Sequence, residues 1–143
     1  IISKEKNKFF NFFENKIEIT IEYSYMLNNG KIVPHTDDVD KIFSLMLYFP
    51  KYENLNQDLF HQKERKIGTT FWKSPKKNFI NKHLEGIEES EFTNNHEELI
   101  NLPFHSNCLY GFIKNARSWH SVKKFDINQN YIRRSININI RFV

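Results

Sequence analysis

The stretch IRRSININIRF, residues 132–142, alternates apolar and polar side chains almost without interruption. Successive side chains of a β-strand point to opposite faces, so the alternation predicts a long strand with one apolar and one polar face. The apolar face should pack against a covering layer, and the polar face should border a hydrated cavity or solvent. The polar face consists of Arg133, Ser135, Asn137, Asn139 and Arg141, whereas Arg134 shares the other face with the isoleucines.

Several other segments carry the same short-strand pattern. Residues 17–25 alternate between apolar and polar side chains. The Asn-Asn-Gly sequence at residues 28–30 predicts a hairpin turn, because Asn and Gly accept positive φ at little cost. The chain is then expected to return as a strand through Ile32 and Val33. Further strands are predicted at residues 42–49 (buried on both faces), 68–72, 99–104, 108–113 and 119–125.

Three segments depart from the strand pattern. Residues 4–15 are predicted to form a short helix, and residues 51–66 a charged loop. Residues 81–98 are predicted to be an acidic insertion that serves as a lid or surface excursion. Seven or eight short strands with few helices predict a mainly β fold, namely a double-stranded β-helix, or jelly roll.

Composition and charge limit the function classes. At 143 residues the chain (1–143) is expected to be a single domain, and its start without Met leaves N-terminal truncation open. Its longest apolar stretch, eight residues at 42–49, is too short to cross a bilayer, so no membrane association is expected. The single cysteine, Cys108, excludes an internal disulfide and favours a reducing, cytoplasmic compartment. The net charge of +4 comes from scattered basic residues interleaved with acidic ones, so no nucleic-acid partner is expected.

The chain contains three His-x-carboxylate pairs, and their contexts differ. His35 and Asp37 lie between two apolar strand segments, where a strand end can hold them rigidly. His83 and His96, each followed by a glutamate two residues later, lie in a stretch rich in Glu, Asn, Ser and Lys. We therefore expect these last two histidines to be ordinary surface positions.

His35, Asp37 and His120 together are candidate metal ligands. Two imidazoles and one carboxylate hold a ferrous ion on one face and leave the other face open for chemistry. The Arg133-Arg134 doublet after His120 would add a fixed cation for an acidic cosubstrate. The polar face of the last strand favours Arg133 in this role, and Arg134 is the alternative.

Four motifs, in order along the chain, carry a family resemblance: PHTDDVDKIFSLMLYFP (34–50), GTTFW (68–72), NCLYGFIKNARSWHSV (107–122) and YIRRSININIRF (131–142). Together they extend over about residues 17–142. The chain resembles the Fe(II)/2-oxoglutarate-dependent oxygenases, in particular the prolyl-hydroxylase-like branch.

The resemblance implies an enzyme, a hydroxylase that uses Fe(II), 2-oxoglutarate and O2, with ascorbate as a candidate reductant, and releases succinate and CO2. The iron ligands would be His35, Asp37 and His120. The arginine doublet would bind the distal carboxylate of 2-oxoglutarate, since an arginine–carboxylate fork makes two parallel charge-assisted hydrogen bonds. The other residues implied to bind the cosubstrate are Ser135, Tyr48 and Thr70.

Other classes of protein are compatible with parts of the pattern. A cupin-like jelly-roll isomerase or epimerase, or a non-catalytic metal-binding module, would share the fold without needing the arginine doublet. A nucleic-acid demethylase of the alkylation-repair type would carry two arginines six apart after the second histidine, but Asn139 and Ile140 occupy those positions. The substrate, a small molecule or a peptide or protein, and the oligomeric state stay open.

Overall fold

The computed structural model describes residues 7–9 (backbone), 17–49, 66–75, 77, 83–127 and 131–143. Within these ranges the chain is mainly β, with nine strands and one short helix. The elements are β1 (Asn7–Phe9), β2 (Ile17–Leu27), β3 (Ile32–His35), β4 (Lys41–Tyr48), β5 (Thr69–Lys73), α1 (Ile87–Asn95), β6 (Glu97–Asn101), β7 (Cys108–Ile113), β8 (His120–Val122) and β9 (Ile132–Phe142).

The strands form two antiparallel sheets, as in a β-sandwich. One sheet has five strands in the order β1-β2-β9-β4-β7, and the other has four in the order β3-β8-β5-β6. Side chains from the two sheets meet: the Tyr48 hydroxyl bonds to Thr69, and the Phe71 ring contacts the Phe112 ring. The predicted mainly β fold is therefore confirmed at the level of a two-sheet sandwich.

β9 lies in the middle of the five-stranded sheet and determines which face is polar. It pairs with β2 over the full length of both strands, from Ile17 opposite Phe142 to Leu27 opposite Ile132. The register places polar residues opposite polar residues, for example Thr20 opposite Asn139. Thr20 and Asn139 are buried, because this face of the sheet is turned toward the other sheet. Of the two alternatives predicted for the polar face of residues 132–142, a cavity or solvent, the structure shows the cavity.

Two apolar clusters flank the space between the sheets. The first consists of Tyr48, Ile67, Phe104, Phe125 and Tyr131. The second consists of Trp72, Leu84, Phe92 and Trp119, and joins α1 to the four-stranded sheet. Helix α1 has little amphipathic character, and Phe92 is its buried residue. The Phe92 ring packs on the rings of Trp72 and Trp119, and Glu89 pairs with Lys31, so an aromatic contact and an ion pair hold the helix in place.

The structure corrects three predictions for the first half of the chain. The short helix expected at 4–15 is wrong at Asn7–Phe9, which pair with β2 as a strand; the rest of that segment lies outside the described residues. The Asn-Asn-Gly turn exists, with Asn29 at φ 66°, but it does not close a hairpin. β9 occupies the pairing edge of β2 opposite β1, so β3 crosses to the other sheet and pairs with β8. Strand β4 is fully buried only at Ser44 and Tyr48, not on both faces.

The acidic segment also differs from expectation. Most of the predicted insertion at 81–98 is regular structure, because it contains α1 and the beginning of β6. Residues 81 and 82, and residues 51–65 of the predicted charged loop, lie outside the described part of the chain. No helix in the described residues is long and apolar enough to cross a membrane.

Candidate metal centre

Strand pairing brings the three predicted ligands together. His35 is the last residue of β3, His120 is the first residue of β8, and the two are direct partners in the antiparallel register. Asp37 follows two residues after His35, and all three side chains are buried. Asp37 Oδ1 lies 4.0 Å from His35 Nε2, and Asp37 Oδ2 lies 3.9 Å from His120 Nε2. One ligand atom from each residue lies within 4.8 Å of the others, so this group can hold a metal ion.

Backbone carbonyls fix the orientation of both imidazoles. His35 Nδ1 is 2.9 Å from the Val33 carbonyl oxygen, and His120 Nδ1 is 2.9 Å from the Ser118 carbonyl oxygen. A carbonyl only accepts, so Nδ1 carries the proton in each ring and the Nε2 lone pair is free for a metal. Such outer hydrogen bonds are typical of metal-binding histidines, because they set the tautomer and the ring direction.

The electrostatics of the site favour the metal-binding protonation states. Burial, together with the nearby His120, lowers the pKa of His35 to about 3, and burial also lowers the pKa of His120. Burial alone would raise the pKa of Asp37, but His120 and Lys41 outweigh it and lower that pKa. At neutral pH the site therefore presents two neutral imidazoles and a carboxylate, and a metal ion need not displace protons from them.

Two residues that the sequence did not single out hold the carboxylate. Lys41 Nζ donates to Asp37 Oδ1 at 2.8 Å, and the ion pair is largely shielded from solvent. Ser44 Oγ lies 3.4 Å from Asp37 Oδ2 and 3.1 Å from Asn139 Oδ1. Lys41 is four residues after Asp37, a separation that carries no signal outside a helix. Its role depends on the turn at residues 39–40, which brings β4 back beside Asp37.

The two histidines expected at the surface have different positions. The His83 ring stacks on the His35 ring, with centroids 4.4 Å apart and an interplanar angle of 9°. His83 is exposed, but the expectation that it is an ordinary surface position is wrong, because it touches a candidate ligand. His96 stacks on Phe92, and its Nδ1 is 2.8 Å from the Phe92 carbonyl oxygen, so it belongs to the end of α1.

A cavity of about 270 Å³ between the sheets connects the metal ligands with the polar face of β9. Arg133, Ser135 and Tyr48 line it together with His35, Asp37 and His120. Arg133 and Ser135 are 4% and 2% exposed, so both residues lie inside the protein. The cavity thus places a polar recess next to the candidate metal site.

Arg133 is a buried cation at this recess. Its Nε donates to the Ile67 carbonyl oxygen at 3.0 Å, and its guanidinium lies over the rings of Phe104 and Tyr48, 4.6 and 5.2 Å from their centroids. Burial lowers the pKa of Arg133, since the charged form has lost its water. None of the ion pairs found among the described residues includes Arg133. A buried guanidinium without a carboxylate partner is costly, and an anionic ligand would offset that cost.

The structure distinguishes the remaining candidates for cosubstrate binding. Arg134 points to the other face of the sheet, where its guanidinium lies 5.4 Å from the centroid of the Phe49 ring. Thr70 was expected in the cavity, but its hydroxyl accepts a hydrogen bond from Asn101 and it does not line the cavity. Thr69 does, and its Oγ1 is 2.7 Å from the Tyr48 hydroxyl. The expected cavity residue and the observed one, Thr70 and Thr69, are neighbours in β5, and neighbouring residues of a strand point to opposite faces.

Comparison with known proteins does not extend these observations. No family model matches the chain, and no curated protein matches its sequence. The fold and the site therefore rest on the geometry described above.

Proposed function

We propose that the protein is an Fe(II)- and 2-oxoglutarate-dependent dioxygenase that hydroxylates a small-molecule or peptide substrate. The observation that carries this proposal is a combination within one cavity. Two histidines and an aspartate that can hold a metal share it with Arg133, a buried guanidinium that pairs with no described carboxylate. The sequence motifs that resemble this class of oxygenase contain the same residues.

The donor set fits ferrous iron. His35, Asp37 and His120 would hold the ion through two imidazoles and one carboxylate, a ligand set that leaves room for a chelating cosubstrate and for O2. Both histidines present Nε2 with Nδ1 bound to a carbonyl oxygen, so their geometry is set before a metal binds. When bound, the iron would supply O2 activation coupled to decarboxylation of 2-oxoglutarate to succinate and CO2.

The recess beyond the metal fits the distal carboxylate of 2-oxoglutarate. Arg133 would bind that carboxylate with its terminal nitrogens, because its Nε is already bonded to the Ile67 carbonyl oxygen. The hydroxyls of Tyr48 and Thr69 are hydrogen-bonded to each other and line the same cavity as Arg133, so the one that accepts in this bond can donate its own proton to the carboxylate. Ser135 completes the polar wall. These groups would orient the dicarboxylate and exclude water from it.

The order of the strands supports a double-stranded β-helix. After β2, the chain crosses to the four-stranded sheet for β3 and returns for β4. It crosses again for β5 and β6, returns for β7, and then crosses for β8 and returns for β9. A chain that alternates between two sheets in this way is typical of a double-stranded β-helix. The alternation also places β3 and β8 in the sheet opposite β9, so the ligands from these two strands face the polar side of β9.

Succinate formation tests the proposal. The protein, loaded with Fe(II) and given 2-oxoglutarate, ascorbate and O2, should produce succinate slowly without a prime substrate and faster with a matching one. The Asp37→Ala variant is the matched control, because it removes one ligand from a site that keeps both histidines. If the native protein binds the metal but forms no more succinate than this control across substrate pools, the oxygenase assignment is wrong. A cupin-like metal enzyme would then be the better description.

A further inference from the structure

His83 lies outside both sheets and yet contacts the metal centre. Its ring is nearly parallel to the His35 ring and close enough for an aromatic stack. It also lines the mouth of the cavity that contains the three candidate ligands. The ring of His35 is therefore covered on one face by an imidazole from a segment far along the chain.

The position of His83 is fixed by the next residue. Leu84 is 1% exposed and belongs to the cluster of Trp72, Phe92 and Trp119. Its backbone N–H donates to the Pro34 carbonyl oxygen at 3.0 Å, directly before His35 in the sequence. This backbone bond and the buried side chain together dock residue 83 on the end of β3.

We propose that His83 is a positioning residue for the metal centre, which holds the His35 ring in the plane that directs Nε2 toward the ion. The hydrogen bond from His35 Nδ1 to the Val33 carbonyl oxygen sets the direction of the ring, and the His120 ring contacts it at an angle of 50°, with centroids 4.3 Å apart. Neither contact lies flat against the ring. Stacking against a second flat ring restricts the tilt of the His35 ring. The inference depends on the metal site of the proposed function and not on its cosubstrate.

The described geometry favours stacking over direct ligation. The group whose ligand atoms lie within 4.8 Å of one another contains His35, Asp37 and His120 and does not include His83. A parallel stack also points the nitrogens of both rings sideways and not at each other. Aromatic pairs of this kind contribute about 0.5–1.5 kcal/mol, so loss of the stack should weaken metal binding by roughly 2- to 13-fold.

Cobalt(II) binding to the purified protein tests this role, because the absorption of Co(II) reports both affinity and ligand geometry. His83→Ala should weaken Co(II) binding roughly 2- to 13-fold and alter the visible Co(II) spectrum. His83→Phe, which keeps a flat ring without nitrogens, should restore both. His96→Ala is the matched control, since its ring stacks on Phe92 away from the site, and it should behave as the native protein does.

Three outcomes would overturn the inference, and a fourth would overturn the proposed function alone. If His83→Ala binds Co(II) with native affinity and spectrum, the stack does not position His35. If His83→Phe is as impaired as His83→Ala, the nitrogens of His83 act directly and stacking is not its role. Failure of the native protein to bind Co(II) would refute the inference and the proposed function together. Native Co(II) binding without any binding of 2-oxoglutarate would refute the proposed function and leave the role of His83 standing.

Discussion

Replacement of Arg133 by Met should weaken the binding of 2-oxoglutarate without a matching loss of stability. Met is unbranched and has no charge, so it packs against the rings of Tyr48 and Phe104 without a buried cation. If Arg133 binds the distal carboxylate, Arg133→Met should weaken 2-oxoglutarate binding by about 2–4 kcal/mol, or roughly 30- to 900-fold. Metal affinity should change little, because the three ligands are untouched.

The stability of the ligand-free protein should not fall in parallel. The substitution removes the hydrogen bond to the Ile67 carbonyl oxygen, which costs about 1 kcal/mol, and the contacts with two aromatic rings, which cost about 1–2 kcal/mol. It also removes the desolvation cost of a buried charge, which amounts to several kcal/mol. The expected net change in the free energy of unfolding runs from none to a gain of about 2 kcal/mol.

Isothermal titration with 2-oxoglutarate and urea denaturation measure the two effects separately. Arg134→Met is the matched control, because that side chain lies on the opposite face of the same strand, over Phe49. It should leave 2-oxoglutarate affinity unchanged. If Arg133→Met loses more than about 3 kcal/mol of stability and retains native 2-oxoglutarate affinity, Arg133 is a structural cation and the argument from its burial is wrong.

Three further predictions concern the metal ligands. The variants His35→Ala, Asp37→Ala and His120→Ala should each abolish iron-dependent turnover and weaken metal binding at least tenfold, while the fold is retained. The control variant His96→Ala should have native turnover and native metal affinity. Full turnover in any of the three ligand variants would show that the replaced residue is not a ligand. The pKa of His35 is about 3 in the folded protein and 6.5 in the unfolded chain, so between these values only the unfolded chain is protonated at this residue. The folded protein should therefore have its full stability above pH 6.5 and lose stability as the pH falls from 6.5 toward 3. Urea denaturation of the metal-free protein should thus show a loss of about 2 kcal/mol between about pH 7.5 and pH 5, and a flat profile would contradict the buried neutral imidazole. Lys41→Met leaves the Asp37 carboxylate buried without its cation, so the metal-free variant should be destabilised by about 3 kcal/mol in thermal unfolding. Added metal should then stabilise this variant more than it stabilises the native protein, because the metal replaces the missing cation.

Sequence patterns predicted the parts of the structure that depend on local alternation. Strands β7 and β9 begin and end where the patterns place them, and the polar face of β9 lies inside, with Arg133 in the cavity and Arg134 outside it. The three ligands also come together, because His35 and His120 lie at strand ends that pair. The alternation of apolar and polar residues predicts these strands and their inward-facing side chains, because it indicates which side chains share a face.

Features that depend on long-range pairing could not be predicted in this way. The turn at Asn28-Asn29-Gly30 has the composition of a hairpin, and only the occupation of the β2 edge by β9 sends β3 to the other sheet. The polar composition around His83 indicates solvent, and only the burial of Leu84 against the tryptophans brings His83 onto His35. The choice between Thr69 and Thr70 depends on a single residue of register, which a short strand does not reveal.

The central claim is that one cavity holds both the metal and 2-oxoglutarate, and an anaerobic titration tests it most directly. Fe(II)-loaded protein should develop a metal-to-ligand charge-transfer absorption as 2-oxoglutarate is added, which saturates at one equivalent per site. The band should be absent with Asp37→Ala, and Arg133→Met should require a far higher concentration of 2-oxoglutarate to reach it. Binding of Fe(II) by the native protein without any such band, at saturating 2-oxoglutarate, would contradict the account.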